Sequence, residues 1–191
     1  MTWEDAWKEG RIPWDAGAAA PALLEALEGD LPEGRALVPG CGSGYDAFAL
    51  DAAGYEAVGL DIAPSARARF DEVGASLGSK AILRTEDFFT FETEPFDLIW
   101  DYTFLCAIDP AMRPAWRTRM AELLAPEGRL LTLIFPDIDP GPNYEGPPWP
   151  LSPASVGTLM EGEFVRESLT RPRASHPGRE GKEWLAVWRR A

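Results

Sequence analysis

Short apolar runs alternate along the chain with stretches in which apolar residues recur every three or four positions. The runs Arg35–Val38, Glu56–Leu60, Ala81–Arg84, Phe96–Trp100 and Arg129–Phe135 have the length and character of buried strands. Ala18–Glu28, Tyr45–Ala53, Pro64–Val73 and Arg113–Leu124 read as helices. Strand and helix in turn predict right-handed crossovers and a doubly wound, mostly parallel sheet.

The rhythm breaks near the end. Residues Asp137–Pro153, "DIDPGPNYEGPPWPLSP", are too rich in Pro and Gly for anything but an irregular loop. A short helix follows at Ser155–Met160, then strands Phe164–Leu169 and Trp184–Arg189. Their link, "TRPRASHPGREGK", carries no helical period, so the two strands are expected as antiparallel neighbours. The total is an α/β sheet of seven strands with the last reversed. With no repeat or shift in composition, residues 1–191 are expected as one domain, with 1–17 as an aromatic arm.

Chemistry gathers where strands end. "LVPGCGSGYD" runs the first strand into a turn with glycine at 40, 42 and 44, then into a helix. Such a unit offers bare backbone N–H groups at the positive end of a helix. Gly40 and Gly42 are candidate ligand contacts. Asp61, ending the second strand on the same rim, is placed to accept the hydroxyls of a ribose. After the third strand, Asp87 and Phe88 suit an adenine amine and ring face. Asp101 and Tyr102 end the fourth strand, with Thr103 and Cys106 just beyond. Trp3, Trp7 and Trp14 crowd the arm, the first two as i,i+4 neighbours on a helix face. Exposed indoles on a free terminus are costly, so the arm is expected to fold over the ligand, where aromatic faces attract a positive centre. Arg11 is expected to bring a fixed cation to that cover.

Charge narrows the partners. With 18 basic and 31 acidic residues the net charge is −13, and no basic stripe exists to neutralise phosphates. This speaks against nucleic acid and anionic membrane as partners. No apolar run approaches the ~20 residues of a membrane span, and the acidic start lacks a signal-peptide pattern. A cytoplasmic protein is expected. Two cysteines and one histidine argue against a disulfide framework and a structural zinc, and no metal site is expected. No Gly-x-Ser-x-Gly marks a hydrolase, and no Tyr-x-x-x-Lys marks a short-chain reductase. A nicotinamide oxidoreductase and a non-catalytic cofactor binder remain open as rivals.

Taken together, "LVPGCGSGYD", "VGLDIAP", "EDFF", "FDLIWDYTFLCAIDP", "LLAPEGRLLTLIFP", "GPPW", "GKEWLAVW" and the Trp arm resemble the class I S-adenosylmethionine-dependent methyltransferases. More narrowly, the chain resembles the thiopurine S-methyltransferase family in its thiol, halide and thiocyanate branch. The resemblance implies S-adenosylmethionine as cofactor and a Rossmann-like sheet of seven strands. It implies that Trp3, Trp7 and Trp14 cover the cofactor, that Gly40 with its turn approaches the methionine part, and that Asp61 binds ribose. Asp87 and Phe88 would hold adenine, with Asp101 and Tyr102 near the methionine end. The acceptor pocket would lie near Arg11, Trp14, Phe135 and Trp149. Phe135 and Trp149 depart from the tyrosines of halide-using relatives, which weakens the implied halide preference. The acceptor is expected to be a small molecule, and the protein a monomer. A soft anionic nucleophile needs no strong base, which suits a chain with His176 as its one histidine.

Overall fold

The computed structural model describes residues 2–191. Seven strands form one sheet: β1 (Arg35–Pro39), β2 (Glu56–Asp61), β3 (Ile82–Thr85), β4 (Phe96–Tyr102), β5 (Leu124–Ile134), β6 (Phe164–Thr170) and β7 (Trp184–Arg190). Their order is β3-β2-β1-β4-β5-β7-β6. The first five run parallel, and β7 inserts antiparallel between β5 and β6. The predicted reversed last strand and its antiparallel pairing with β6 are therefore observed.

The helices are α1 (Trp3–Lys8), α2 (Pro21–Ala26), α3 (Tyr45–Ala52), α4 (Ala66–Leu77), α5 (Arg113–Leu123) and α6 (Pro153–Met160). Two differ from expectation for local reasons. The helix expected from Ala18 starts only at Pro21, where a residue without an N–H costs nothing in the first turn. That expected to end at Val73 runs on to Leu77 and stops at Gly78, left-handed at φ 65°.

Two apolar layers cover the sheet. On one face Leu23, Phe48, Phe70 and Trp100 pack between β-strands and α2, α3 and α4. On the other, Trp116, Met120, Val156 and Met160 from α5 and α6 pack on Ile99 and Leu130. Buried indoles find acceptors, as they must: Trp100 Nε1 donates to Asp46 at 2.8 Å and Trp116 Nε1 to Asp101 at 3.0 Å. Asp46 also accepts the Ala20 N–H at 2.7 Å, tying the end of the arm to α3. Among the described residues no helix is long and apolar enough to cross a membrane.

Strand order reverses between β1 and β4. The connections leaving these two strands diverge there and open a crevice at their C-terminal ends.

Candidate active site

The crevice is floored by the glycine turn. Gly40, Gly42 and Gly44 all have positive φ, at 61°, 52° and 86°. A Cβ on Gly40 would lie 2.5 Å from the Phe104 ring, so the turn is sterically as well as conformationally reserved for glycine. Asp61 clasps it from β2: one carboxylate oxygen accepts the Gly42 N–H at 3.0 Å, the other the Ala63 N–H at 2.9 Å. Burial raises the Asp61 carboxyl above its ordinary range, and the N–H groups of Ala63, Gly42 and Ile62 pull it partly back. Asp87 sits on the neighbouring rim, two residues beyond Thr85, which pairs with Asp61. It is exposed, and one oxygen accepts the Phe89 N–H at 2.9 Å.

The arm roofs the turn. Thr2 caps α1 in a capping box with Asp5. The Trp14 ring meets Trp3 edge-on at 5.3 Å and Trp7 at 6.0 Å between centroids. A Cβ on Gly42 would stand 3.5 Å from the Trp7 ring and 3.7 Å from the Trp14 Nε1, so both indoles lie directly over the glycine. Three polar contacts hold this roof. Glu4 accepts the Ser65 N–H at 3.0 Å and hydroxyl at 2.7 Å; Ser43 donates to Asp15 at 2.5 Å; Arg179 Nη2 donates to the Trp14 carbonyl at 2.8 Å.

Tyr102, Thr103, His176 and Arg179 line the cleft together with Gly40, Gly42, Trp14 and Asp15. Arg179 Nη1 donates to the Tyr102 hydroxyl at 2.5 Å, which in turn donates to buried Glu183 at 2.5 Å. The guanidinium lies over both the Tyr102 and Phe135 rings, 5.1 and 5.0 Å from their centroids. His176 is buried and stacked parallel to Tyr102. Burial first, then the Arg179 charge, lowers its pKa, which keeps it neutral at neutral pH. Burial and the hydrogen bond to Glu183 raise the Tyr102 pKa. Thr103 is held at φ 61°, a strained region for a β-branched residue, at the lip of the cleft.

Not every expected residue arrives. Arg11 is exposed and pairs with Glu9 on the surface, captured by a carboxylate two residues away; it brings no charge to the cover. Asp101 is 2% exposed and faces the other side of the sheet, its oxygens accepting the Leu105 N–H at 3.1 Å and the Trp116 indole. The pleat decides this, since Tyr102 turns toward the cleft and its neighbour must turn away. The Phe88 ring is buried between Phe89 and Phe104, 5.2 and 5.0 Å away, and is core packing rather than an open stacking face. Trp149 belongs to the Pro-rich loop, its N–H donating to the Cys106 carbonyl at 2.6 Å, and does not line the cleft. Conversely, Arg179, His176 and Asp15 line the cleft without any motif to announce them.

The glycine backbone, the Asp61 carboxylate that holds it and the Trp7 and Trp14 indoles over Gly42 thus meet at the strand ends. The family model described as Thiopurine S-methyltransferase (TPMT) matches residues 1–190. The chain is 42% identical to Thiocyanate methyltransferase 1 of Arabidopsis thaliana over 193 residues, 98% of this chain and 84% of that one. Identity to Thiocyanate methyltransferase 1 of Brassica oleracea is also 42%, with the same coverage. The solved structure of 1,6-didemethyltoxoflavin-N1-methyltransferase from Burkholderia thailandensis superposes with a TM-score of 0.75 at 20% identity, covering 97% of this chain and 84% of that one, a likeness of fold. The chain belongs to the thiopurine S-methyltransferase family.

Proposed function

We propose that the protein transfers the methyl group of S-adenosylmethionine to a small soft nucleophile: a thiol, hydrosulfide, thiocyanate or halide. Bound S-adenosylmethionine supplies an electrophilic methyl on a cationic sulfonium. On this reading the carboxylate of Asp61 takes the ribose hydroxyls, and Asp87 offers its second oxygen to the adenine amine. The Gly40–Gly42 backbone lies against the methionine part, and Trp3, Trp7 and Trp14 exclude water above it.

The observation that carries the proposal is the guanidinium of Arg179, set over the Tyr102 and Phe135 rings and facing the glycine turn across one cleft. A fixed cation draws a small anion into a pocket of net-negative protein, and the ring faces strip its water. No base is needed, because thiocyanate and halide are already anions and a thiol of pKa about 8.5 is partly ionised at neutral pH. Neutral His176 is then a packing partner of Tyr102. Alignment of nucleophile, methyl and sulfur contributes most of the rate, roughly 7–11 kcal/mol where geometry is good. The free thiols of Cys41 and Cys106 suit a reducing cytoplasm, and we place the enzyme there as a monomer.

The test is incubation with labelled S-adenosylmethionine and a panel of thiols, hydrosulfide, thiocyanate, iodide and a thiopurine. Label appearing in volatile or extractable methyl products supports the proposal. Label reaching none of them, while passing to protein or nucleic acid, rejects it.

A further inference from the structure

A second cavity, of about 270 Å³, lies between α5 and α6 on the far side of the sheet from α3. It shares no lining residue with the methyl-transfer cleft. Its walls include Pro114, Leu151 and Leu159, with Ser155 and Thr158 as hydroxyls and Arg113 as the one charge.

Arg113 shares with Arg117 a buried Nε without an acceptor, but has a second orphaned nitrogen besides. Its Nε and Nη2 are shielded from solvent and meet no acceptor. On the same helix, Arg119 donates to the Phe88 and Phe91 carbonyls, and Arg117 Nη1 reaches the Leu159 and Glu161 carbonyls at 3.3 Å each. Among the described residues the Arg113 side chain has neither hydrogen bond nor ion pair. Asp109 is close in sequence, but one of its oxygens accepts the Ala111 N–H at 2.9 Å and it makes no ion pair with Arg113. Arg113 also opens α5, so the positive end of the helix adds to its own charge. A buried donor without a partner costs about 1–3 kcal/mol, more when charged. Burial accordingly depresses the Arg113 pKa. An anion in the cavity would neutralise the guanidinium charge that lines it.

We propose that this cavity binds a small amphipathic carboxylate, its head on the Arg113 guanidinium and its carbon tail against Leu151 and Leu159. Walls that are chiefly apolar select a carboxylate with a tail over inorganic phosphate or sulfate. A volume at the lower end of the usual range for ligand sites, roughly 300–1,000 Å³, limits the tail to about four to eight carbons. The site is separate from methyl transfer, and its existence does not depend on which acceptor the enzyme uses. It connects to the cleft indirectly: the Leu151 N–H donates to the Pro136 carbonyl at 3.0 Å, one residue beyond Phe135.

Hexanoate is the probe, with hexanol and chloride as controls at constant ionic strength. Thermal unfolding of the full chain is followed for wild type, Arg113→Met, Thr158→Trp and Arg179→Met. Hexanoate is expected to raise Tm saturably in wild type and in Arg179→Met. Its apparent affinity should fall about tenfold or more in Arg113→Met. Thr158→Trp keeps the guanidinium but fills the mouth of the cavity; it should abolish the response, and it decides the matter should Arg113→Met not fold. The proposal is overturned by a wild-type response no larger than that to hexanol, or by one surviving Thr158→Trp. Loss of the response in Arg179→Met, or a rise in KM for thiocyanate with hexanoate present, would place the acid in the methyl-transfer cleft and equally defeat it.

Discussion

Arg179 Nη2 donates to the carbonyl of Trp14 at 2.8 Å, joining residues 165 apart in sequence across the mouth of the cleft. The same guanidinium holds the Tyr102 hydroxyl and covers two aromatic rings. One side chain thus fastens the roof and charges the pocket, and both jobs are testable through it.

Replacing Arg179 by Met is expected to raise KM for thiocyanate about ten- to a hundredfold, the range for losing one charge-assisted hydrogen bond of about 1.5–3 kcal/mol. Arg179→Lys keeps the charge but not the fork, and should recover only part of the loss. Steady-state kinetics with kcat nearly retained would show that the residue binds the anion rather than aligns the methyl. A drop in kcat at unchanged KM would contradict this.

The arm is expected to hold the cofactor. Deleting residues 1–14 should weaken S-adenosylmethionine binding at least tenfold, about 1.4 kcal/mol by calorimetry. Glu4→Ala, which removes the contacts to Ser65 and the ion pair with Lys8, should shift affinity in the same direction by less. Those contacts lower the Glu4 pKa from 4.5, so the latch is present above that pH and is lost as pH falls through the lowered value. Equal affinities for the full and shortened chains would reduce the arm to surface packing.

Asp61 should make cofactor binding pH-dependent. Burial raises its pKa from 3.8, so the carboxylate proposed to accept ribose hydroxyls is lost at a higher pH than for an exposed aspartate. Affinity in wild type is expected to fall on acidification starting above pH 3.8, while Asp61→Asn binds weakly and without that dependence. Isothermal titration across the pH series reads this directly, and parallel curves for the two proteins would refute it.

Asp101 carries a stability prediction of opposite sign. Burial pushes its carboxyl up from 3.8 to about 7, against the pull of the Leu105 and Trp116 donors. Its protonated form is favoured on folding, so this contribution is complete below pH 3.8 and disappears as pH rises through about 7. The Tm of wild type relative to Asp101→Asn should therefore fall between pH 4 and 8. A constant difference would mean that the two N–H donors dominate and the group is ionised throughout.

Much of this was legible before any coordinates. The strand–glycine–helix unit and Asp61 are local features, and hydrophobic periodicity alone placed the five parallel strands. Even the reversed strand followed from a link too irregular to be a crossover helix. The Arg179 side of the cleft was not legible for the same reason. Arg179 and His176 sit in that irregular link, and only the insertion of β7 beside β5 carries them to the cleft. Arg11 shows the converse error: it had the right charge in the right segment, but Glu9 satisfies it locally. For Asp101 the period of two along β4 held the answer, since Tyr102 and Asp101 cannot share a face.

The position of β7 has a consequence for biosynthesis. Trp14 leaves the ribosome well before Arg179, yet the two meet over one cleft. A nascent chain can stack its first five strands in order, but it lacks the clamp on Trp14 until the hairpin closes. Closure of the cleft is therefore deferred until the β6–β7 hairpin has formed, and truncations inside that hairpin should leave a partly ordered domain with a weakened grip on S-adenosylmethionine.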